Sequence, residues 1–127
     1  MSDARITLGK RGEELACREL ERRGYAIVAR RFRVRGGELD IVARDGPTLV
    51  FVEVKARQSL AVGEGFESVT PAKQRRIEQL AAAWLVRNPH DGAIRYDVLS
   101  LQWTGRRFRI THFPDAWMFD ATLVRWT

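Results

Sequence analysis

Asp40, Glu53 and Lys55 are the residues of this chain whose types and spacing suit chemistry best. They lie in two runs, Gly37-Glu38-Leu39-Asp40-Ile41-Val42-Ala43 and Leu49-Val50-Phe51-Val52-Glu53-Val54-Lys55, that alternate with the period of two expected of half-buried strands. The turn-forming segment Arg44-Asp45-Gly46-Pro47-Thr48 joins them, so an antiparallel hairpin is the simplest connection. With the turn centred on Gly46 and Pro47, Asp40 faces Glu53 and Glu38 faces Lys55, and alternation sends all four to one face. The opposite face is expected to be apolar, with Leu39, Ile41 and Ala43 against Val54, Val52 and Val50. This register depends on a two-residue turn. Pro47 suits a primed turn poorly, and an odd-length loop would shift every partner.

Opposed strand residues have Cβ atoms roughly 4.5 to 5.5 Å apart, where like charges destabilise. Asp40 against Glu53 is therefore a conflict that a divalent cation would relieve. Mg²⁺ takes oxygen ligands and typically uses one or two carboxylates plus water and phosphate. Lys55, two residues past Glu53, points to the same place and can stabilise negative charge in a transition state. The competing reading is a surface hairpin whose ion pairs are solvated and worth no more than about 1 kcal/mol each.

The remaining elements must hold this hairpin. Residues 7 to 23 read as a helix with Thr7 as N-cap, Leu8, Leu15, Ala16 and Leu20 at helical spacing, and Gly24 as the stop. Glu13 shares the inner face with Ala16, Cys17 and Leu20, within reach of a metal on the sheet. Complementing the helix dipole near an N-terminus is the equal alternative. Tyr25 to Val34 reads as a strand whose end carries Arg30, Arg31, Arg33 and Arg35, guanidinium groups suited either to positioning a phosphodiester or to protecting a sheet edge. Gly63 and Gly65 mark a loop from Ser59 to Val69 placed to close over a ligand.

Thr70-Pro71 opens a second helix with an apolar stripe of Ile77, Leu80, Ala81, Trp84 and Leu85, which makes Trp84 a core residue. Lys73 and Arg76 near its start are spaced to meet a phosphate, although solvated helix charges have the same spacing. Strands at Ala93 to Trp103 and Arg106 to Phe113 follow; Asp97 in the first is read as orienting an arginine. His90 and His112 lie at no motif spacing. Trp117, Met118 and Phe119 either fold back on the core or form a partner surface.

A chain of 127 residues, 45% hydrophobic and 30% charged, suits a single domain over residues 1–127. Twenty-two basic against sixteen acidic side chains leave a net charge of +6. With a pI near 10.4, this favours a polyanion over a membrane surface, for which no basic amphipathic helix is present. Cys17 is the sole cysteine, which excludes a disulfide framework and a cysteine-based zinc site. The absence of a signal-like or long apolar run points to the cytoplasm.

Gly37-Glu38-Leu39-Asp40-Ile41 with Val50-Phe51-Val52-Glu53-Val54-Lys55 resembles the PD-(D/E)xK nuclease core. More narrowly, the chain resembles the YraN-like bacterial proteins, predicted endonucleases distantly similar to Holliday-junction resolvases. The Gly-x-x-Gly-Glu helix start, Ser68-Val69-Thr70 with Lys73, and Arg95-Tyr96-Asp97-Val98 extend the likeness over most of the chain. It implies an α/β fold with a restriction-endonuclease-like αβββαβ core, a mixed central sheet flanked by helices. It further implies Asp40 and Glu53 as metal ligands, Lys55 as the catalytic lysine and Glu13 as the acid of the first helix. No proline precedes the first catalytic acid and Glu38 occupies a nearby slot, so the role of Glu38 is left open.

The resulting expectation is a Mg²⁺- or Mn²⁺-dependent endonuclease on DNA, branched DNA included, with Arg31, Arg33, Arg35, Lys73 and Arg76 holding the backbone. A homodimer would be needed for junction resolution. The alternative is a non-catalytic nucleic-acid-binding or protein-interaction module that retains the nuclease fold, and after it a purely structural adaptor.

Overall fold

A computed structural model describes residues 3–57 and 69–117, with side chains over 10–56 and 69–117. The elements are α1 (Asp3–Arg22), β1 (Ala26–Val34), β2 (Gly37–Asp45), β3 (Thr48–Arg57), α2 (Pro71–Arg87), β4 (Ile94–Trp103) and β5 (Phe108–Phe113). The strands form one sheet in sequence order, antiparallel except for β3 and β4, which run parallel across the α2 crossover. This is the expected αβββαβ core in a mixed sheet, extended by β5.

α1 starts earlier than the Thr7 cap expected from sequence, since helix is present from Asp3. Interior glycines cost roughly 1 kcal/mol each relative to alanine. Gly12, however, is buried, and a Cβ there would meet Ala56, Leu101 and Phe108 at van der Waals distance, so the helix passes close to the sheet at this glycine. The far end is as expected. Gly24 (φ +92°) lets its own N–H reach the carbonyl of Glu21 at 2.9 Å and the Tyr25 N–H reach that of Leu20 at 2.9 Å, a Schellman closure.

The β2–β3 turn has the expected two residues, with Asp45 paired to Thr48. Gly46 has φ +59°, as the first position of a type II′ turn requires, and the second position accepts the φ of proline. The partners therefore keep the predicted sum: Ile41 faces Val52 and Ala43 faces Val50.

Contrary to the expectation of one apolar and one charged face, the hairpin is buried on both. Ile41, Ala43, Val50 and Val52 join Ala16, Cys17 and Leu20 of α1, while Val42, Leu49 and Phe51 join Ile77, Leu80, Ala81 and Trp84 of α2. A central strand pair between two helical layers needs apolar residues on both sides. The charges are confined to one end. Leu39 packs with the α2-side set rather than with Ile41, so regular alternation fails across Asp40.

β1 is less regular than its sequence suggests. A register shift between Ile27 and Ala29 leaves Val28 42% exposed. Ile27 and Ala29 then pack on opposite faces. Thr70 caps α2 as predicted, its hydroxyl accepting from the Lys73 N–H at 3.3 Å. Thr70→Ala should therefore lower stability by about 1 kcal/mol in a urea titration, with the m-value unchanged.

Candidate active site

The ladder between β2 and β3 runs from Asp45–Thr48 to Ile41–Val52. One step further, the Asp40 Oδ2 accepts the backbone N–H of Val54 at 2.8 Å, in the place a strand carbonyl would otherwise take. The two strands part here, and the side chains of Asp40, Glu53 and Lys55 gather at the fork. The Asp40 and Glu53 carboxyls are close enough for the charge of Glu53 to act on Asp40. Lys55 Nζ lies 3.3 Å from Glu53 Oε1, and both side chains are about four-fifths buried (20% and 18% exposed). The two acids that the turn was expected to set opposite each other thus come close, one step beyond the last ladder pair, Ile41–Val52.

Burial, reinforced by the charge of Glu53, pushes the Asp40 carboxyl up to about 8, against the pull of the Val54 N–H. Glu13 adds a smaller push in the same direction, so α1 brings its acid close to the fork. Because α1 begins at Asp3, Glu13 stands more than two turns inside the helix, beyond reach of the terminal dipole. It is held instead by Arg31, whose Nε donates to both carboxylate oxygens at 2.9 and 2.8 Å. Arg31 has φ +51° and lies between the pairs Arg30–Ile41 and Phe32–Leu39, hence opposite Asp40. A left-handed arginine costs of order 1–3 kcal/mol and persists only where its surroundings fix it.

The other predicted residues are arranged differently. Glu38 meets Arg33, its direct partner on β1, through the Arg33 Nε at 2.6 Å, and not Lys55. The reason is that β2 and β3 have separated before position 38. Arg35 is exposed at the β1–β2 turn. Arg76 reaches over from α2 to donate to the Gly36 carbonyl, and Lys73 sits one turn earlier on the same helix. Arg31, Arg33, Arg35 and Arg76 therefore border one side of the fork, but two of the four are already paired with carboxylates. The loop expected to close over a ligand lies, through residue 68, outside the described residues, as do Met118 and Phe119. Trp117 does fold back: it is stacked on Tyr96 at 5.0 Å and donates from Nε1 to Glu78 at 3.1 Å.

The donor set fits a hard divalent cation. Two carboxyls share a largely buried spot, with the Lys55 ammonium beside Glu53. Among the described residues no group of three or more His, Cys, Asp or Glu side chains could hold a metal alone. Such a site suits Mg²⁺ or Mn²⁺ completed by water and phosphate rather than a closed protein cage.

Sequence reasoning missed a second polar cluster. Asp97 is fully buried, and its carboxylate accepts from Tyr25 Oη (3.0 Å), Arg95 Nε (2.9 Å) and Nη2 (3.1 Å), His112 Nε2 (2.7 Å) and the Asp115 N–H (3.0 Å). Arg95 also binds Asp45 at 3.0 Å and donates to Tyr25 Oη. Burial alone would raise the Asp97 carboxyl, but the His112, Arg95 and Asp115 hydrogen bonds outweigh it and hold the group at about 2. Tyr25 is pushed up to about 12 by burial and by Asp97. Asp97 does orient an arginine, as read from sequence. His112, given no chemistry there, lies opposite Leu99 across β4–β5 and so diagonal to Asp97.

Comparison with known proteins gives the chain relatives over nearly its whole length. A UPF0102 protein of Geobacter metallireducens is 49% identical over 111 residues, covering 87% of this chain and 91% of the relative. One from Anaeromyxobacter dehalogenans is 42% identical over 127 residues (98% and 93%), and one from Acidothermus cellulolyticus 48% over 111 residues (79% and 84%). No described helix is long and apolar enough to cross a membrane. The family model matches residues 12–101, a span that holds Glu13, Asp40, Glu53 and Lys55 together, and the chain belongs to the uncharacterised protein family UPF0102.

Proposed function

We propose that this chain is a divalent-metal-dependent endonuclease that hydrolyses phosphodiester bonds in DNA, branched DNA included. The observation that carries the reading is the Asp40–Glu53 carboxyl pair with Lys55 beside it, at the one place where the central strands separate. A buried pair of acids is a standing cost to a fold, and such conflicts cluster at functional sites. Asp40 and Glu53 would hold Mg²⁺ or Mn²⁺. A cation bound there supplies Lewis-acid stabilisation of the phosphate and a nucleophile at neutral pH.

The chain's own residues supply the rest. The Val54 N–H fixes the rotamer of Asp40. Lys55 places an ammonium where negative charge develops on the phosphate. Glu13 acts as a positioning residue, holding Arg31 opposite Asp40. The exposed Arg35 and Arg76, with Lys73, grip the flanking backbone, and the +6 charge favours encounter with a polyanion. Two-sided cutting of a junction requires two copies of this site.

Labelled linear duplex and four-way junction DNA, incubated with Mg²⁺, Mn²⁺ or EDTA, test the reading. Metal-dependent cleavage is expected, and Lys55→Ala should reduce it by about 10²–10³-fold, the usual cost of one transition-state donor. A wild-type protein that cuts no DNA with any metal, and whose DNA binding is indifferent to Asp40 and Glu53, would instead be a non-catalytic binding module.

A further inference from the structure

We propose that the turn between β4 and β5 is a second anchor for the nucleic-acid backbone, on the far side of the fork from Arg35 and Arg76. The proposal deepens the nuclease reading and rests on it. Thr104, Arg106, Arg107, Phe108 and Arg109 line a concavity of about 640 Å³ on the surface. All three arginines are exposed, and among the described residues none of their guanidinium groups has a carboxylate partner. By contrast, Arg22, Arg23, Arg31, Arg33 and Arg95 each pair with an acid. Three exposed guanidiniums around one hollow, none paired with a carboxylate among the described residues, form a site for phosphate oxygens, and the Phe108 ring in its lining suits a sugar or base.

The turn is held in shape. The Thr104 N–H donates to the Arg107 carbonyl at 2.9 Å, and Thr104 Oγ1 accepts from the Arg107 N–H at 3.3 Å. Trp103 and Phe108 meet edge to face at 5.2 Å beneath it. Its place in the sheet ties it to the catalytic fork. Lys55 pairs with Ser100 in the parallel register, so β3 and β4 carry Lys55 and the turn towards the same end of the sheet. Gly12, the neighbour of Glu13, lies against both Ala56, the neighbour of Lys55, and Phe108. The β1–β2 turn with Arg35 is at that end too, because β2 runs antiparallel to β3.

Two basic turns therefore flank the fork, centred three strand spacings apart, or about 14 Å. That span equals about four nucleotide steps of 3.4 Å along a duplex strand. A strand crossing the end of the sheet would meet one anchor on each side of the bond presented to Asp40 and Glu53.

Binding of fluorescent duplex and four-way junction DNA, followed by anisotropy in EDTA over a salt series, tests the assignment. Arg106→Gln, Arg107→Gln and Arg109→Gln together should weaken binding at least tenfold near 0.1 M salt. They should also flatten the slope of log K against log salt by about 2 to 3, at roughly 0.9 per phosphate contact. A charge-matched control, Arg22→Gln, Arg23→Gln and Arg44→Gln, should change affinity no more than about twofold. If the triple variant misfolds, Arg107→Gln alone should flatten the slope by about 1.

Equal losses in variant and control, or an unchanged slope, would overturn the second anchor while metal-dependent cleavage by the wild type left the nuclease reading standing. An altered sedimentation coefficient with unchanged DNA binding would do the same and make the turn a contact between copies of the chain. Wild-type protein that neither binds nor cuts DNA would overturn both.

Discussion

Asp40→Asn is expected to abolish metal-dependent cleavage and, at the same time, to stabilise the metal-free protein at alkaline pH. The first effect follows from losing a direct oxygen ligand. Substitutions of residues that merely support metal ligands cost 10–100-fold, so loss of a ligand should cost at least about 100-fold. The second follows from the fork itself. In the unfolded chain an aspartate titrates near 3.9, whereas burial and Glu53 raise Asp40 to about 8 in the fold. Between those values the folded protein binds a proton that the unfolded chain does not, so stability from this group is complete below about pH 4 and is lost as pH rises towards 8. Each pH unit in that window costs on the order of 1 kcal/mol.

Asparagine keeps the oxygen that accepts the Val54 N–H and removes the charge, so the variant should lack this component of the pH dependence. Thermal melts of both proteins in EDTA from pH 4 to 9 should diverge as pH rises, with the variant more stable at the top of the range. Adding Mg²⁺ at pH 8 should raise the melting temperature of the wild type and leave the variant unchanged, because a cation binding only the folded state stabilises it by mass action. Wild-type melts that run parallel to those of Asp40→Asn across the whole range, with or without Mg²⁺, would remove the cation from Asp40.

The hairpin was legible because strand alternation and a two-residue turn leave little freedom. Once Gly46 takes the positive φ, each partner in the ladder is determined by parity. Thr70 and Gly24 were readable for a similar reason, each performing a local task that few residues perform. Features created by distant packing were not readable. The burial of Gly12 within α1 comes from the nearness of Ala56 and Phe108, which are distant in sequence. The bulge at Val28 and the left-handed Arg31 belong to β1 only because β2 and α1 are already in place beside it.

The arginine-rich end of β1 illustrates the limit of reading charge from sequence. Its composition suggested free cations, yet Glu13 and Glu38 neutralise two of them, while the arginines at the β4–β5 turn, which drew no attention, have no acid partner among the described residues.

Asp97→Ala is the substitution expected to cost the fold most. Its carboxylate is the common acceptor for α1's closing residue Tyr25, for β4 through Arg95, for β5 through His112 and for the segment beyond β5 through the Asp115 N–H. Removing it leaves Arg95 with Asp45 as its one carboxylate partner among the described residues and leaves the Nε2 of His112, a side chain only 3% exposed, facing the void. Breaking a buried ion pair from one side costs roughly 3–5 kcal/mol, because the remaining partner stays buried and unpaired. In a domain of this size that corresponds to a fall in melting temperature of roughly 10–20 °C.

The pH signature runs opposite to that of Asp40. Asp97 is held at about 2 against 3.9 in the unfolded chain, so its contribution is present above about pH 4 and is lost as the pH falls towards 2. Asp97→Asn keeps much of the shape and part of the hydrogen bonding while removing the charge. It should therefore be less damaging than alanine and should lose the acid-side component. Because the cluster lies towards the hairpin-turn end of the sheet, where Arg95 binds Asp45, a folded Asp97→Asn protein should bind DNA with wild-type salt dependence. A wild-type melting temperature for Asp97→Ala would mean that the cluster does not join the strands as its hydrogen bonds indicate. A selective loss of DNA binding in folded Asp97→Asn would place part of the interface at this end of the sheet instead.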